Sequence, residues 1–136
     1  MGVIYLTLDQ VLKFHEKALT LAPSGEGLRS YESLSSAVAQ PKVTFGEQDL
    51  RPTIQEKAAA YGFFIAESQA FVDGNKRTAS IAMLAFLALN DHEFYQTDEE
   101  IEEMMVAVGD EQSDVGQEEF FAWVAQHAKP KPKGTC

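Results

Sequence analysis

Between Thr78 and Leu89 the chain sets Ala79, Ile81, Ala82, Met83, Leu84, Phe86, Leu87 and Leu89 around the whole circumference of a helix. A helix that is apolar on every side has no face to offer to water, so other elements have to enclose it. The stretch falls well short of the roughly 20 apolar residues needed to cross a bilayer, and the rest of the chain comes no closer. The sequence therefore has to supply amphipathic partners around one buried helix.

Those partners are legible from spacing. Thr7 and Gln10 form a capping-box pair, and Leu8, Val11, Leu12 and Leu19 mark one face of a first helix that fades near Ala22. Pro23, Ser24, Gly25 and Gly27 read as a loop. Tyr31, Leu34, Ala37 and Val38 then give a short second helix closed by Pro41. Val43, Thr44 and Phe45 alternate like a strand too short to build a sheet and read as an exposed extended flap ahead of Gly46.

Pro52 suits the first position of a third helix, striped by Ile54, Ala58, Tyr61, Gly62 and Ile65 and running to about Ser68. Beyond the apolar helix, Thr97 or Asp98 caps a fifth, with Ile101, Met104, Met105 and Val108 on one face. Phe120, Phe121, Val124, Ala125 and Ala128 line a sixth, with Trp123 beside the stripe. The expected architecture is all-α, about six helices around the buried one. A single domain spans 1–128, and a flexible basic tail, 129–136, alternates lysine with proline.

The chain carries a formal net charge of −10, and the segment 91–128 holds twelve Asp and Glu residues with no Lys or Arg. Phosphate backbones would be repelled, so nucleic acid is excluded as a partner unless the few cations cluster in one place. The acidic stretch reads as a solvated face or as a docking surface for a basic partner. The lone Cys136 can form neither an internal disulfide nor a metal cluster. Met1 to Leu12 lacks a basic region ahead of an apolar core, so the expected location is the cytoplasm. His15 sits on the apolar stripe of the first helix as a hydrogen-bonded packing residue, and neither His92 nor His127 has a partner at metal-ligand spacing. Met104 and Met105 read as core, Ser68 and Ser80 as structural.

The cations do cluster, in the run Gln69-Ala70-Phe71-Val72-Asp73-Gly74-Asn75-Lys76-Arg77-Thr78 that feeds the apolar helix. Gly74 allows a tight turn, after which successive backbone N–H groups point out of a helix start where partial positive charge favours an anion. Lys76 and Arg77 add full charges, the guanidinium binding phosphate through two parallel hydrogen bonds and the ammonium acting as a point charge. Asp73 offers a hard oxygen suited to Mg²⁺ held jointly with phosphates. Ordinary capping by Asp73 with two solvated cations is the plainer account. It leaves unexplained why two positive charges stand where the helix dipole opposes them. The run lacks the earlier glycine of a P-loop.

This run resembles the signature of the Fic/Doc superfamily, His-x-Phe-x-Asp-Gly/Ala-Asn-Lys-Arg-Thr in its Doc-like branch, at every position but the first. Residues 5–15, 27–41 and the helix up to Asn90 are also similar to the Doc-type layout. The resemblance implies a Fic/Doc-type helical bundle in which Phe71 anchors the loop and Asp73 binds metal. It makes Gly74 and Asn75 contacts to the phosphates of ATP, and Lys76 and Arg77 the clamp. AMP-transferring members carry glycine where Lys76 stands, so the implied reaction is transfer of the terminal phosphate of ATP to a hydroxyl of a translation elongation factor. The implied setting is a toxin-antitoxin module with an antitoxin as partner, and Val43, Thr44 and Phe45 match the flap that holds a target segment as an added strand.

Gln69 stands where the family has its general-base histidine. An amide oxygen accepts a proton only in strong acid, so the expectation is nucleotide binding with turnover lost or strongly impaired. Two other readings remain beside the kinase: a non-catalytic module that binds nucleotide or antitoxin, and an AMP-transferring Fic protein.

Overall fold

A computed structural model describes residues 2–21 and 27–132 of the chain. Among these residues six α-helices make the fold: α1 (Leu8–Leu21), α2 (Tyr31–Ala39), α3 (Ile54–Ser68), α4 (Asn75–Leu89), α5 (Asp98–Val108) and α6 (Gln117–His127). Two small antiparallel ribbons accompany them, β1 (Thr44–Phe45) with β2 (Gln48–Asp49), and β3 (His92–Phe94) with β4 (Ala128–Pro130). The bundle is all-α in class, as expected. The loop read at Pro23, Ser24 and Gly25 lies outside the described residues, as does the end of the tail from 133 onward. No helix among the described residues is long and apolar enough to cross a membrane.

The centre is shared by two helices. α4 buries Thr78, Ala79, Ala82, Met83, Phe86 and Leu87, while Ile81 and Leu84 are half-buried and Leu89 is 40% exposed. α3 buries eight residues, Lys57 to Gly62 with Ile65 and Ala66. Its alanines let neighbouring helices come close. At Gly62 an added Cβ would stand 3.0 Å from Phe120 Cζ and 3.1 Å from Met83 Sδ, so α6 and α4 both press against the bare backbone there. α5 rests on this body through Ile101 and Met105.

Caps fix the helix ends. Thr7 and Gln10 cap α1 as expected, the Thr7 N–H donating to Gln10 Oε1 at 2.8 Å and the Gln10 N–H to Thr7 Oγ1 at 3.2 Å. Thr53 with Glu56 and Thr97 with Glu100 form capping boxes on α3 and α5. The start expected at Pro52 is therefore displaced to Ile54, because the Thr53 side chain satisfies the Glu56 N–H and sets the boundary itself. α4 likewise begins at Asn75, a turn earlier than its apolar pattern, since the polar signature residues are helical too.

The segment after α6 also departs from expectation. Ala128, Lys129 and Pro130 pair with Phe94, Glu93 and His92, and the Lys131 N–H donates to Asp91 O at 2.8 Å. Proline is tolerated because it occupies an edge position of a two-stranded ribbon. The first residues of the basic tail are thus fastened to β3 and the turn that follows α4.

Tyr61 ties the N-terminal segment to α3, its fully buried hydroxyl accepting the Leu6 N–H at 2.9 Å. Burial pushes its phenol up to about 12, with the Leu6 hydrogen bond opposing and nearby Tyr5 adding. Because the folded pKa lies above the unfolded one, the neutral ring stabilises the fold fully below about pH 10, and this contribution fades as pH rises toward 12. Alkaline denaturation followed by phenolate absorbance is expected to show Tyr61 ionising together with unfolding. In Tyr61→Phe that component disappears, at a cost of about 1–3 kcal/mol for the Leu6 N–H left unsatisfied.

Candidate functional site

The loop between α3 and α4 is built from two unusual backbone positions. Gln69 closes α3 in the left-handed region, φ 50 and ψ 33, and Gly74 opens α4 at φ 83. Glutamine is uncomfortable there, and its neighbours hold it. Its carbonyl accepts from Arg29 Nη2 at 2.9 Å, and its side-chain Nε2 donates to Ala66 O at 3.3 Å. Ala70 O takes the N–H groups of both Arg29 and Ser30, Leu28 bridges Phe71, and the Val72 N–H donates to Gly27 O. A strap of residues 27–30 therefore lies along the loop and fixes the direction in which residue 69 faces.

Phe71 is the anchor of the loop. It is fully buried, and its ring stacks on His15 with centroids 3.6 Å apart and planes 7° from parallel. His15 Nε2 lies 2.9 Å from Asp73 O. A carbonyl can only accept, so that nitrogen carries the hydrogen and α1 holds the loop backbone. His15 is the packing histidine expected, with the added task of supporting the turn. Gly74 sits against the same ring, a Cβ there standing 3.4 Å from His15 Cδ2. Asn75 bonds the loop to itself at both ends of its amide: the Phe71 N–H donates to Oδ1 at 3.0 Å, and Nδ2 donates to Phe71 O at 2.9 Å. Its contribution here is the loop's shape, where the resemblance implies a phosphate contact.

The remaining residues border one groove of about 960 Å³. Gln69, Val72, Asp73, Gly74, Asn75, Lys76 and Arg77 edge it on one side, and Ser80, Ile81 and Leu84 continue along α4. The opposite wall is α5, through Asp98, Ile101, Glu102, Met105 and Val106. Asp73, Lys76 and Arg77 are solvent-exposed, as a site that admits a charged ligand requires. Asp73 Oδ1 accepts the Gly74 N–H at 2.8 Å, which orients the carboxylate beside the helix start. Among the described residues no cluster of three or more His, Cys, Asp or Glu could hold a metal by protein ligands alone. This donor set fits a hard cation that arrives with phosphates supplying most of its oxygens.

A model of the Fic/DOC family matches residues 5–87, more than half of the chain and the whole of this loop. The chain belongs to the Fic/DOC family. The curated Toxin Doc of Mycolicibacterium smegmatis is 41% identical over 87 residues, a segment covering 63% of this chain and 64% of that protein. The chain thus matches somewhat less than two thirds of its relative's length. No solved structure matches.

The flap residues lie apart from the groove lining. Thr44 and Phe45 form β1, paired with Asp49 and Gln48, while half-buried Val43 accepts the Leu50 N–H at 2.9 Å. Phe45 is 84% exposed. The flap is thus one arm of a hairpin, and its other arm is anchored where fully buried Lys57 of α3 meets Asp49 Oδ2 at 3.0 Å and donates to Arg51 O. Sequence reasoning missed Arg29, the strap and the α5 wall. Arg29 carried a signal only in hindsight, as a charged residue just after a glycine loop and before a helix cap.

Proposed function

We propose that the protein is a Doc-like toxin component whose groove binds MgATP and whose reaction is transfer of the terminal phosphate to a hydroxyl of a translation factor, with Gln69 removing most of the turnover. The observation that carries this reading is the convergence of Asp73, the α4 N-terminus, Lys76 and Arg77 on one groove with residue 69 at its edge. The N–H groups at the start of α4 and the two cations offset phosphate charge, and Asp73 contributes an oxygen to a shared Mg²⁺. The metal would supply charge neutralisation on the transferring group. In the transfer the target hydroxyl forms a bond to the terminal phosphorus as the bond to the ADP oxygen breaks, and the hydroxyl proton goes to a base. Histidine at position 69 could take that proton, and the amide of Gln69 cannot. An antitoxin acting in trans and covering the groove is part of the same proposal, motivated by the similarity to a Doc toxin.

Calorimetry with MgATP tests the groove. The chain as given is expected to bind, and Arg77→Ala to weaken binding about tenfold or more through loss of a bidentate phosphate contact. Unchanged affinity in Arg77→Ala and Lys76→Ala would remove the groove as the nucleotide site.

Arg29 is expected to position residue 69. In a Gln69→His background, Arg29→Ala should lower kcat by roughly tenfold to a hundredfold, because a shift of about 1 Å in a reacting group has effects of that order. MgATP affinity should stay the same, and Arg29→Lys should recover part of the rate. Loss of affinity with kcat intact would show that the strap shapes the groove and leaves residue 69 alone.

A further inference from the structure

The proposed function gives Lys76 to the phosphates, and within the groove its side chain leans toward the opposite wall. From the first turn of α4 it reaches the far end of α5, where a Cβ added at Gly109 would stand 3.0 Å from Lys76 Cε and 3.1 Å from Nζ. Gly109 caps α5 with φ −89 and ψ −3, a conformation open to any residue. What its missing side chain provides is room for the lysine.

The electrostatics favour this placement. A cation in the first turn of a helix faces the partial positive pole of that helix, whereas the last carbonyls of a helix carry partial negative charge. Val106 O lies 3.7 Å from the same Cβ position, and α5 has no basic residue in its own last turn. Lys76 supplies one from the neighbouring helix. Glu102, on the same groove wall, adds to the negative potential along α5.

We propose that Gly109 is a positioning residue that parks the Lys76 ammonium at the C-terminal end of α5, from which a polyphosphate entering the groove has to draw it. The proposal rests on the reading of the groove as a polyphosphate site. A side chain at position 109 crowds Lys76 Cε and Nζ, shifts the ammonium outward and weakens α5 as a competitor for it, so polyphosphate binds more tightly.

Two readouts separate the inference from that reading. Without ligand, acylation of Lys76 Nζ by an amine-reactive ester, measured by mass spectrometry, is expected to run several-fold faster in Gly109→Ala and in Gly109→Ser than in the parent. Exposed Lys13 and Lys42 serve as references unchanged by either substitution. With magnesium and inorganic triphosphate, Gly109→Ala is expected to bind about twofold to fivefold more tightly, the size of an interaction with a helix end. In a Lys76→Ala background the same substitution should change nothing. Equal acylation rates, or an equal affinity change without Lys76, overturn the proposal. If the parent chain binds no triphosphate, the groove reading falls and the acylation rates alone decide the role of Gly109.

Discussion

Replacing Gln69 by histidine is expected to raise ATP-dependent modification of a translation elongation factor by about 10² to 10⁴, the usual range for a general base. The substitution introduces a proton acceptor and gives up one long side-chain bond, from Gln69 Nε2 to Ala66 O at 3.3 Å. Position 69 keeps its left-handed backbone through the Arg29 contact to its carbonyl and the strap against Ala70, neither of which involves the side chain. Histidine also tolerates this region better than most residues. Terminal-phosphate label appearing on the factor supports the kinase reading, and label from the α-phosphate moves the assignment to AMP transfer. Silence with MgATP still bound makes the chain a binding module. Growth arrest on expression of Gln69→His, relieved by a co-expressed antitoxin, would carry the result into cells.

Phe71→Ala is expected to be the most damaging substitution to the fold, at about 3–5 kcal/mol, because a fully buried ring leaves a cavity that fixed neighbours cannot fill. In a domain of this size that lowers Tm by roughly 10–20 °C. The loss should exceed what the cavity alone predicts, because His15 would lose its stacking partner while still bonded to Asp73 O. Phe71→Leu fills most of the volume without the stack, so comparing the two variants isolates the ring contact. Nucleotide affinity in Phe71→Leu reports how far the stack holds the groove in shape. A Tm within a few degrees of the parent for Phe71→Ala would show that the loop has another anchor.

Much of this was legible because large apolar side chains repeat with the helical period, and the six helices follow that pattern. α3 was under-read. Ala58, Ala59 and Ala60 carry a weak apolar signal, and Lys57 reads as solvent-facing, yet all four are fully buried once other helices close over them. The second ribbon was hidden for a different reason: its three-residue strands exist through partners distant in sequence, as His92 pairs with Pro130, whereas the alternation at Val43, Thr44 and Phe45 did show one arm of the first. At the loop, residue types announced a cationic helix start, and the fold puts the named residues around one groove. Their individual bonds were not readable. The amide of Asn75 closes on Phe71, and Lys76 turns to a glycine on another helix; both depend on where the backbone travels after the motif.

The bareness of Gly62 has a further mechanical meaning. With Phe120 and Met83 seated on its backbone, α3, α4 and α6 move as one block, and shifting any of them would disturb the densest part of the core. α5 is fastened by Ile101 and Met105. The groove therefore resembles a vice with one fixed jaw, which carries the signature, and one adjustable jaw. Its opening is set from the α5 side, where Ile101 and Met105 both bolt the jaw to the block and line the groove it closes.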